Sequence, residues 1–330
     1  MSIDDLWYTQ SMNYWNEYVQ IADKKYPRFF SAPLDGYTDS PFRQLVREFS
    51  PENLLYSEMR HVAALVNDPQ RRSFRFEDVE RPLQFQMTTN GLDFVEEAVD
   101  LILAHNVSGI DLNIACPAKN VVKSLSGSAV MANPELLKEI LTLLRTKLSI
   151  PLTVKMRAGF KEKNALDIVR LVEDCGVDAV AVHPRLQTER FSGEPDYSLV
   201  AEMKKVVSIP LLYSGEIHSF TDAQAVYERT GVDGFLIGRG MWGKPWKLAE
   251  LDVHSRGKVF EISSQQIYET AVKHFDFLLQ FYEKEGLYIF RKHLSFYVAD
   301  FEGASSLRQT LITSESIDEV KVGLKRIIRS

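Results

Sequence analysis

The sequence predicts an α/β fold, a (β/α)8 TIM barrel followed by a small all-helical C-terminal domain. Eight short apolar runs recur between residues 29 and 238, each followed by turn residues and a stretch of helical period. This alternation is typical of parallel β-α-β units, and eight such units in about 250 residues form a barrel. A doubly wound sheet would instead carry a glycine-rich dinucleotide turn after its first strand. The first run is followed by Asp35-Gly36-Tyr37-Thr38-Asp39, which is not that turn, so the barrel is favoured.

The predicted strands follow one another at regular intervals along the chain. They are FFSAPL (29–34), NLLYSE (53–58), PLQFQM (82–87), GIDLNI (109–114), PLTVKM (151–156), DAVAVH (178–183), IPLLYS (209–214) and GFLIG (234–238). From about residue 263 to residue 328 only helical-period segments occur. The chain is therefore divided into an N-terminal helical extension (1–27), a barrel (28–252) and a helical domain (260–330).

The N-terminal extension carries an aromatic stripe at helical spacing. Its members are Trp7, Ser11, Tyr14, Trp15 and Tyr18. We expect this stripe to pack on the barrel as a cap, and stacking on RNA is the alternative.

Composition excludes several classes of protein. Of the 330 residues, 45% are hydrophobic and 25% charged, which is enough for a globular core. No apolar run approaches the ~18 residues of a membrane helix, so no membrane partner is expected. The two cysteines, Cys116 and Cys175, exclude a disulfide framework and favour a cytoplasmic location. The net charge of −6 argues weakly against nucleic-acid binding, although residues 245–330 are balanced with 12 basic and 12 acidic side chains.

Polar residues are expected at the carboxyl ends of the strands, where a barrel places its active site. Gln86, Lys155 and His183 each lie at or near such an end. Six of the 17 glycines fall between residues 215 and 243, after the last two strands, where backbone N–H groups can hold a phosphate and Arg239 adds charge. Taken singly, the glycines could form tight turns only, the lysine could be solvated and the histidine structural.

Cys116 lies in a polar loop after the fourth strand, Asn113-Ile114-Ala115-Cys116-Pro117. Without an adjacent activating base it suits proton donation better than nucleophilic attack. The histidines show no metal-ligand spacing, so no metal is expected. A lysine, a histidine, a glutamine and a glycine-rich phosphate loop at one barrel end favour a flavin site.

Together these motifs resemble the tRNA-dihydrouridine synthases. The segments that carry the resemblance are SAPLDGYTDSPFR, LLYSEM, DLNIACPAKNVVK, SGSAVMANPELL, LTVKMRAGF, VHPR, SGEI, IGRGMWGKPW and RKHLSFYVADFEGASSLRQ, from about residue 30 to residue 309. The resemblance implies an FMN enzyme reduced by NADPH, with NADH possible as donor. Hydride passes to C6 of a uracil in tRNA, and Cys116 donates a proton to C5. No obligate protein partner is expected, and the protein should act as a monomer.

The same resemblance assigns roles to individual positions. Asn113 would hold the uracil and the flavin, and Arg185 would contact either the flavin phosphate or RNA. The resemblance assigns the tRNA phosphate contacts of the helical domain to Arg291, Lys292, His293 and Arg308, although a solvated helix face is a rival explanation for each. The flavin-binding positions are Pro33, Leu34, Asp35, Gln86, Lys155, His183, Ser214, Gly215, Glu216, Gly238 and Arg239.

The loop after the sixth strand departs most from the family pattern. Pro184, Leu186 and Glu189 replace residues common in the family, and Leu34, Ala115, Leu125, Ser214 and Glu216 are milder departures. A further carboxylate near a polyanion is unfavourable, so we expect an altered preference among tRNA positions with the chemistry retained. The competing hypotheses are a flavin oxidoreductase acting on a small molecule such as a free pyrimidine, and a non-catalytic RNA-binding relative.

Overall fold

The barrel predicted from the sequence is present in the computed structural model, which describes residues 14–299 and 301–329. Eight parallel strands follow in the spatial order β3 (Phe29–Ser31), β11 (Gly234–Ile237), β10 (Leu211–Ser214), β9 (Ala179–Leu186), β8 (Leu152–Gly159), β7 (Gly109–Ile114), β6 (Leu83–Thr88) and β4 (Leu55–Tyr56). Ser31 closes the ring, because its N–H donates to Leu54 O at 3.3 Å and its Oγ accepts from Tyr56 N at 2.9 Å. The other strand bounds are β1 Val19–Ile21, β2 Lys24–Tyr26 and β5 Arg60–His61.

Helices surround the strands and continue beyond them. Several begin at side-chain caps, as where Asp39 accepts from Phe42 N and where Ser219 and Asp222 form a capping box. The helix bounds are α1 Ser40–Phe49, α2 Val62–Val66, α3 Val95–Leu103, α4 Lys119–Lys123, α5 Pro134–Lys147, α6 Ala165–Asp174, α7 Tyr197–Val206, α8 Phe220–Thr230, α9 Lys247–Ser255, α10 Ser264–Tyr282, α11 Glu285–Tyr297, α12 Ala304–Thr313 and α13 Ile317–Leu324. Among the described residues, no helix is both long and apolar enough to span a bilayer.

The prediction of a helical extension over residues 1–27 is wrong for residues 19–26, which form the antiparallel hairpin β1–β2. Val19 and Ile21 are buried while Gln20 between them is exposed, a period of two that suits a strand. Together with Tyr26 they belong to one apolar cluster with Phe30 and other side chains from the barrel strands. The hairpin thereby adds to the core of the barrel.

Of the described aromatic residues of the stripe, Tyr14 and Trp15 pack on the barrel, whereas Tyr18 is 43% exposed and its hydroxyl donates to Glu52 Oε2 at 3.0 Å. Tyr14 stacks on Tyr227 with ring centroids 3.7 Å apart, and Trp15 stacks on Phe235 at 5.8 Å. Trp7 and Ser11 lie outside the described residues. Packing therefore accounts for Tyr14 and Trp15.

The C-terminal helices enclose a separate apolar core. Phe275, Leu278, Phe290 and Leu294 of α10 and α11 lie at its centre, each at most 1% exposed. The helices dock on the barrel through α1, where Phe42 stacks on the ring of His293 at 5.3 Å. This places α11 beside the carboxyl end of the barrel.

Candidate active site

The carboxyl ends of the strands surround a cavity of about 420 Å³. Every position expected to contact flavin lines it, as do Asn113 and Cys116. The lining residues predicted from the sequence are Pro33, Leu34, Asp35, Gln86, Asn113, Cys116, Lys155, His183, Ser214, Gly215, Glu216, Gly238 and Arg239. Residues scattered over 200 positions meet here because parallel strands all end on one side of a barrel.

Lys155 and His183 lie in a cavity whose lining also includes the cations Arg157 and Arg239 and the carboxylates of Asp35 and Glu216. The Lys155 ammonium makes no hydrogen bond within the described residues, and burial together with Arg157 lowers its pKa to about 8. His183 is 7% exposed, and its Nδ1 has no partner among the described residues. Burial lowers the pKa of His183 to about 2, helped by the neighbouring cations Arg157 and Lys155. The imidazole is therefore neutral at physiological pH, next to the positive charges of Lys155 and Arg157.

The Cys116 loop is held from its backbone. Asn113 Oδ1 accepts from Ala115 N at 3.0 Å and from Cys116 N at 2.9 Å. Ser128 Oγ donates to Cys116 O at 2.8 Å. Burial raises the pKa of the half-buried Cys116 thiol. A fixed, protonated thiol on the cavity wall is suited to giving up a proton rather than to acting as a thiolate.

Two glycine-containing turns form the opposite wall. Gly215 has φ of 154°, which side-chain-bearing residues rarely adopt. Within the described chain, the N–H groups of Gly215 and Glu216 donate no hydrogen bond. The Arg239 guanidinium lies 3.8 Å from the Glu216 carboxylate and is partly exposed. Free backbone donors beside an arginine form an anion-binding wall.

Arg185 lies behind this wall and does not line the cavity. It is 2% exposed, and it donates to Gly193 O and to Glu216 Oε1, both at 2.9 Å. Its third nitrogen, Nη1, is buried without a partner among the described residues, so a contact with a flavin phosphate or with RNA stays a prediction. Its evident effect is to fix the Glu216 turn.

The residues of the β9 loop that depart from the family pattern form hydrogen bonds within that loop. Glu189 Oε2 accepts from Leu186 N at 2.6 Å, so the extra carboxylate caps its own turn. Pro184 O accepts from Asp196 N at 3.0 Å. Phe191, by contrast, is 58% exposed at the cavity rim, where Arg239 lies 5.4 Å from its ring.

The prediction that His293 contacts tRNA phosphates is wrong. Its ring is fully buried between the helical core and Phe42, and burial lowers its pKa to about 3. A neutral, enclosed imidazole cannot bind a surface phosphate. Residues 291–293 look like one basic cluster in the sequence, but a helix rotates about 100° per residue. Consecutive side chains on α11 therefore point in different directions, and that of His293 points inward.

The other three predicted contacts lie nearer the surface. Lys292 Nζ donates to Gly36 O at 3.2 Å and so reaches the residue next to the cavity-lining Asp35. Arg291 pairs with the Glu315 carboxylate at 2.9 Å, and Arg308 donates to Val298 O at 2.8 Å. Their role toward RNA stays a prediction, with Lys292 the best placed.

The sequence analysis missed several residues that line the cavity. These are Met59, Arg157, Phe191, His218 and Trp242. Arg157 shares strand β8 with Lys155 at a spacing of two, which places both on one face and could have identified it. Phe191 lies in a long loop with no regular period, so no local signal marked it.

Comparison with known proteins identifies the family. The family described as dihydrouridine synthase (Dus) matches residues 30–329. The chain belongs to this family. It is 32% identical to tRNA-dihydrouridine synthase B of Vibrio cholerae, over 87% of this chain and 91% of that protein. It is 33% identical to a probable tRNA-dihydrouridine synthase of Rhizobium leguminosarum, over 90% and 94% of the two chains.

Solved structures share the barrel at lower sequence identity. A variant of NCR from Zymomonas mobilis aligns with a TM-score of 0.55 and 16% identity, over 76% of this chain and 93% of that chain. Histamine dehydrogenase from Rhizobium sp. 4-9 aligns with a TM-score of 0.59 and 13% identity, over 81% and 51%. These likenesses confirm the TIM-barrel fold.

Proposed function

We propose that this dihydrouridine synthase reduces uridines in tRNA, using FMN as cofactor and NADPH as reductant. Hydride adds at C6 of the uracil ring, a proton adds at C5, and NADPH leaves as NADP⁺. The observation that carries the proposal is the position of Cys116, a protonated thiol on the wall of the cavity that also holds Lys155 and His183.

The residues of the cavity fit a phosphorylated flavin. Lys155 is a cation without a hydrogen bond in the described chain, and one His183 nitrogen likewise lacks a partner. Such groups cost free energy in the free protein, and the polar edge of a planar ring can satisfy them. The free N–H groups of Gly215 and Glu216, with Arg239, would hold the phosphate. A bound flavin supplies the hydride.

The remaining work falls to the protein side chains. Asn113 Oδ1 is fully used by two backbone N–H groups, so this amide can offer only N–H to the uracil carbonyls. Cys116 keeps its proton until C5 needs it, because burial raises the pKa of the thiol.

Recognition of tRNA is assigned to the edge between the barrel and the helical domain. A cleft of about 740 Å³ there is lined by Arg60, Arg72, Arg75 and Lys284, together with acidic Glu58, Glu283 and Glu285. RNA of this kind is recognised through its shape and backbone, so affinity for tRNA should fall as salt is added.

The proposal is tested anaerobically with purified, NADPH-reduced protein. Unmodified tRNA or free uridine is added, and the return of oxidised-flavin absorbance is followed. Rapid reoxidation by tRNA with none by uridine is the expected result. Equal rates with both would overturn it in favour of a small-molecule oxidoreductase, and a protein that binds no flavin or ignores both additions would also refute it. Mass analysis of the released cofactor separates FMN from FAD, and NADH in parallel tests the reductant.

A further inference from the structure

Asp111 lies beneath the candidate active site without lining its cavity. It is fully buried on β7, with its backbone paired to Gln86 on β6 and to Thr153 on β8. Both carboxylate oxygens accept a hydrogen bond. Gln86 Nε2 donates to Oδ2 at 2.7 Å, and Thr153 Oγ1 donates to Oδ1 at 2.6 Å. A buried carboxylate lowers the stability of a protein unless it is hydrogen-bonded or paired, so its presence here indicates a specific role.

The hydrogen bonds continue upward from Asp111 to the Cys116 loop. Asn113 Nδ2 donates to Gln86 Oε1 at 2.8 Å. Asn113 Oδ1 in turn accepts from the N–H groups of Ala115 and Cys116. We define these side chains, Asp111, Gln86 and Asn113, as the Asp111 chain.

The direction of the Asp111 chain is set at its lower end. An ionised carboxylate can only accept, whereas each amide can be turned over to exchange its oxygen and nitrogen. Opposite Asp111, Gln86 must present nitrogen downward and oxygen upward, so Asn113 must present nitrogen to Gln86 and oxygen to the loop. If the Gln86 amide were reversed, its oxygen would face the Asp111 carboxylate and its NH2 group would face that of Asn113. If Asn113 were reversed as well, its N–H groups would face the N–H groups of the loop.

We infer that Asp111 is a positioning residue, which fixes the orientation of the Gln86 and Asn113 amides and thereby holds the backbone that carries Cys116. The inference rests on the proposed function only for the role of Cys116 in turnover. It also defines what the cavity offers a ligand: Asn113 has one N–H left and no free lone pair, which suits a carbonyl-bearing ring.

The test is the reactivity of the Cys116 thiol in the purified full-length protein. Asp111→Asn nearly preserves shape, but an amide can face Gln86 with either its oxygen or its NH2 group, so the direction of the chain is no longer enforced and the loop should loosen. We expect alkylation of Cys116 by iodoacetamide to accelerate about tenfold, as for the loss of one buried hydrogen bond. Cys175, half-buried at the end of α6, is the internal reference and should be unchanged.

A matched control and a rescue separate positioning from general stability. Thr153→Val removes the other donor to Asp111 but leaves the carboxylate opposite Gln86, so Cys116 should stay protected. Adding Gln86→Glu to Asp111→Asn puts an acceptor-only group one step higher, where it accepts from Asn113 and from the new amide. Protection of Cys116 should then return.

Each outcome decides the inference. Unchanged Cys116 alkylation in folded Asp111→Asn overturns it, as does an equal acceleration in Thr153→Val. If Asp111→Asn fails to fold, recovery of folding and protection together in the double variant supports the inference, and an unfolded double variant overturns it.

Turnover distinguishes this inference from the proposed function. With tRNA as substrate, Asp111→Asn should lower kcat about tenfold and change KM much less, because the Asp111 chain orients Cys116 and one amide at the uracil while the rest of the RNA is held elsewhere. Suppose that the parent protein is inactive on tRNA but that Cys116 is alkylated faster in Asp111→Asn. This result would refute the proposed function and support the positioning role of Asp111. If Asp111→Asn keeps the parental kcat on tRNA and the parental rate of Cys116 alkylation, the positioning role is refuted and the proposed function is unaffected.

Discussion

The core beside the hairpin and the candidate site at the carboxyl ends of the strands bury side chains of opposite character. In the first, Val19, Ile21 and Tyr26 pack against apolar side chains of the strands. In the second, the half-buried Lys155 and the buried His183 carry polar atoms that have no hydrogen-bond partner among the described residues. Apolar burial stabilises the fold, while unpartnered polar groups cost stability unless a ligand satisfies them. The difference indicates that the first region is built for stability and the second for binding.

The largest expected effect is at the carboxyl ends. Cys116→Ala removes the proposed proton donor and should slow tRNA-dependent flavin reoxidation by about 100-fold or more, the usual range for a general acid. The flavin should still bind and still accept electrons from NADPH. Stopped-flow measurement of the two half-reactions checks both statements.

Cys175→Ala is the matched control, since this second cysteine lies at the end of α6 and does not line the cavity. It should reoxidise at the parental rate. A Cys116→Ala variant as fast as the control would remove the thiol from the mechanism.

Ile21→Ala tests the region beside the hairpin. This residue is 1% exposed, so its truncation should lower the free energy of unfolding by about 3 kcal/mol. Leu34→Ala is the counterpart at the cavity, where the side chain already faces open space and should cost less than about 1 kcal/mol. Urea denaturation of both flavin-free variants measures the contrast, and equal losses would contradict the division between the two regions.

Lys155→Met tests the cost in stability of placing the half-buried Lys155 cation in the cavity. Because burial lowers the pKa of Lys155 from 10.5 to about 8, the unfolded chain binds more protons than the folded one between these values. This group therefore makes stability rise as the pH increases from about 8 to 10.5. In its flavin-free form, the variant should lose this increase of stability with pH. In a separate titration, it should bind flavin more weakly than the parent does.

Denaturation midpoints across this pH range provide the measurement. Lys163→Met is the control, because its ammonium is exposed and paired with Asp196 outside the cavity. If the stability of Lys155→Met depends on pH as steeply as that of the parent, the pKa of Lys155 is not lowered by folding.

Glu189→Gln should have the smallest effect. The amide oxygen can still accept from Leu186 N, so the variant removes the charge and keeps the turn. We expect the distribution of dihydrouridine among tRNA positions to shift, because a carboxylate near a polyanion is repelled. Mapping of the modified positions checks this, and a profile and rate equal to those of the parent would refute the role of Glu189.

Local patterns were enough to predict the strands and most of the cavity. Each strand appears as a short apolar run, and barrel topology brings the ends of all the runs together wherever they lie in the chain. Lys155, His183 and Cys116 could therefore be assigned to one site without knowledge of distances. The hairpin at residues 19–26 was missed because three-residue strands are too short to outweigh an adjacent aromatic pattern of helical period.

The sequence by itself determined the barrel, its helical appendage and the composition of the site, because these follow from periodicity and from the order of elements. Only the tertiary structure decided which charged residues are reachable. His293 is enclosed because α11 docks on α1, and Arg185 faces Glu216 because two loops meet. The Asp111 chain likewise depends on three strands in register. Burial and hydrogen-bond direction arise from contacts between distant segments, which no local pattern encodes.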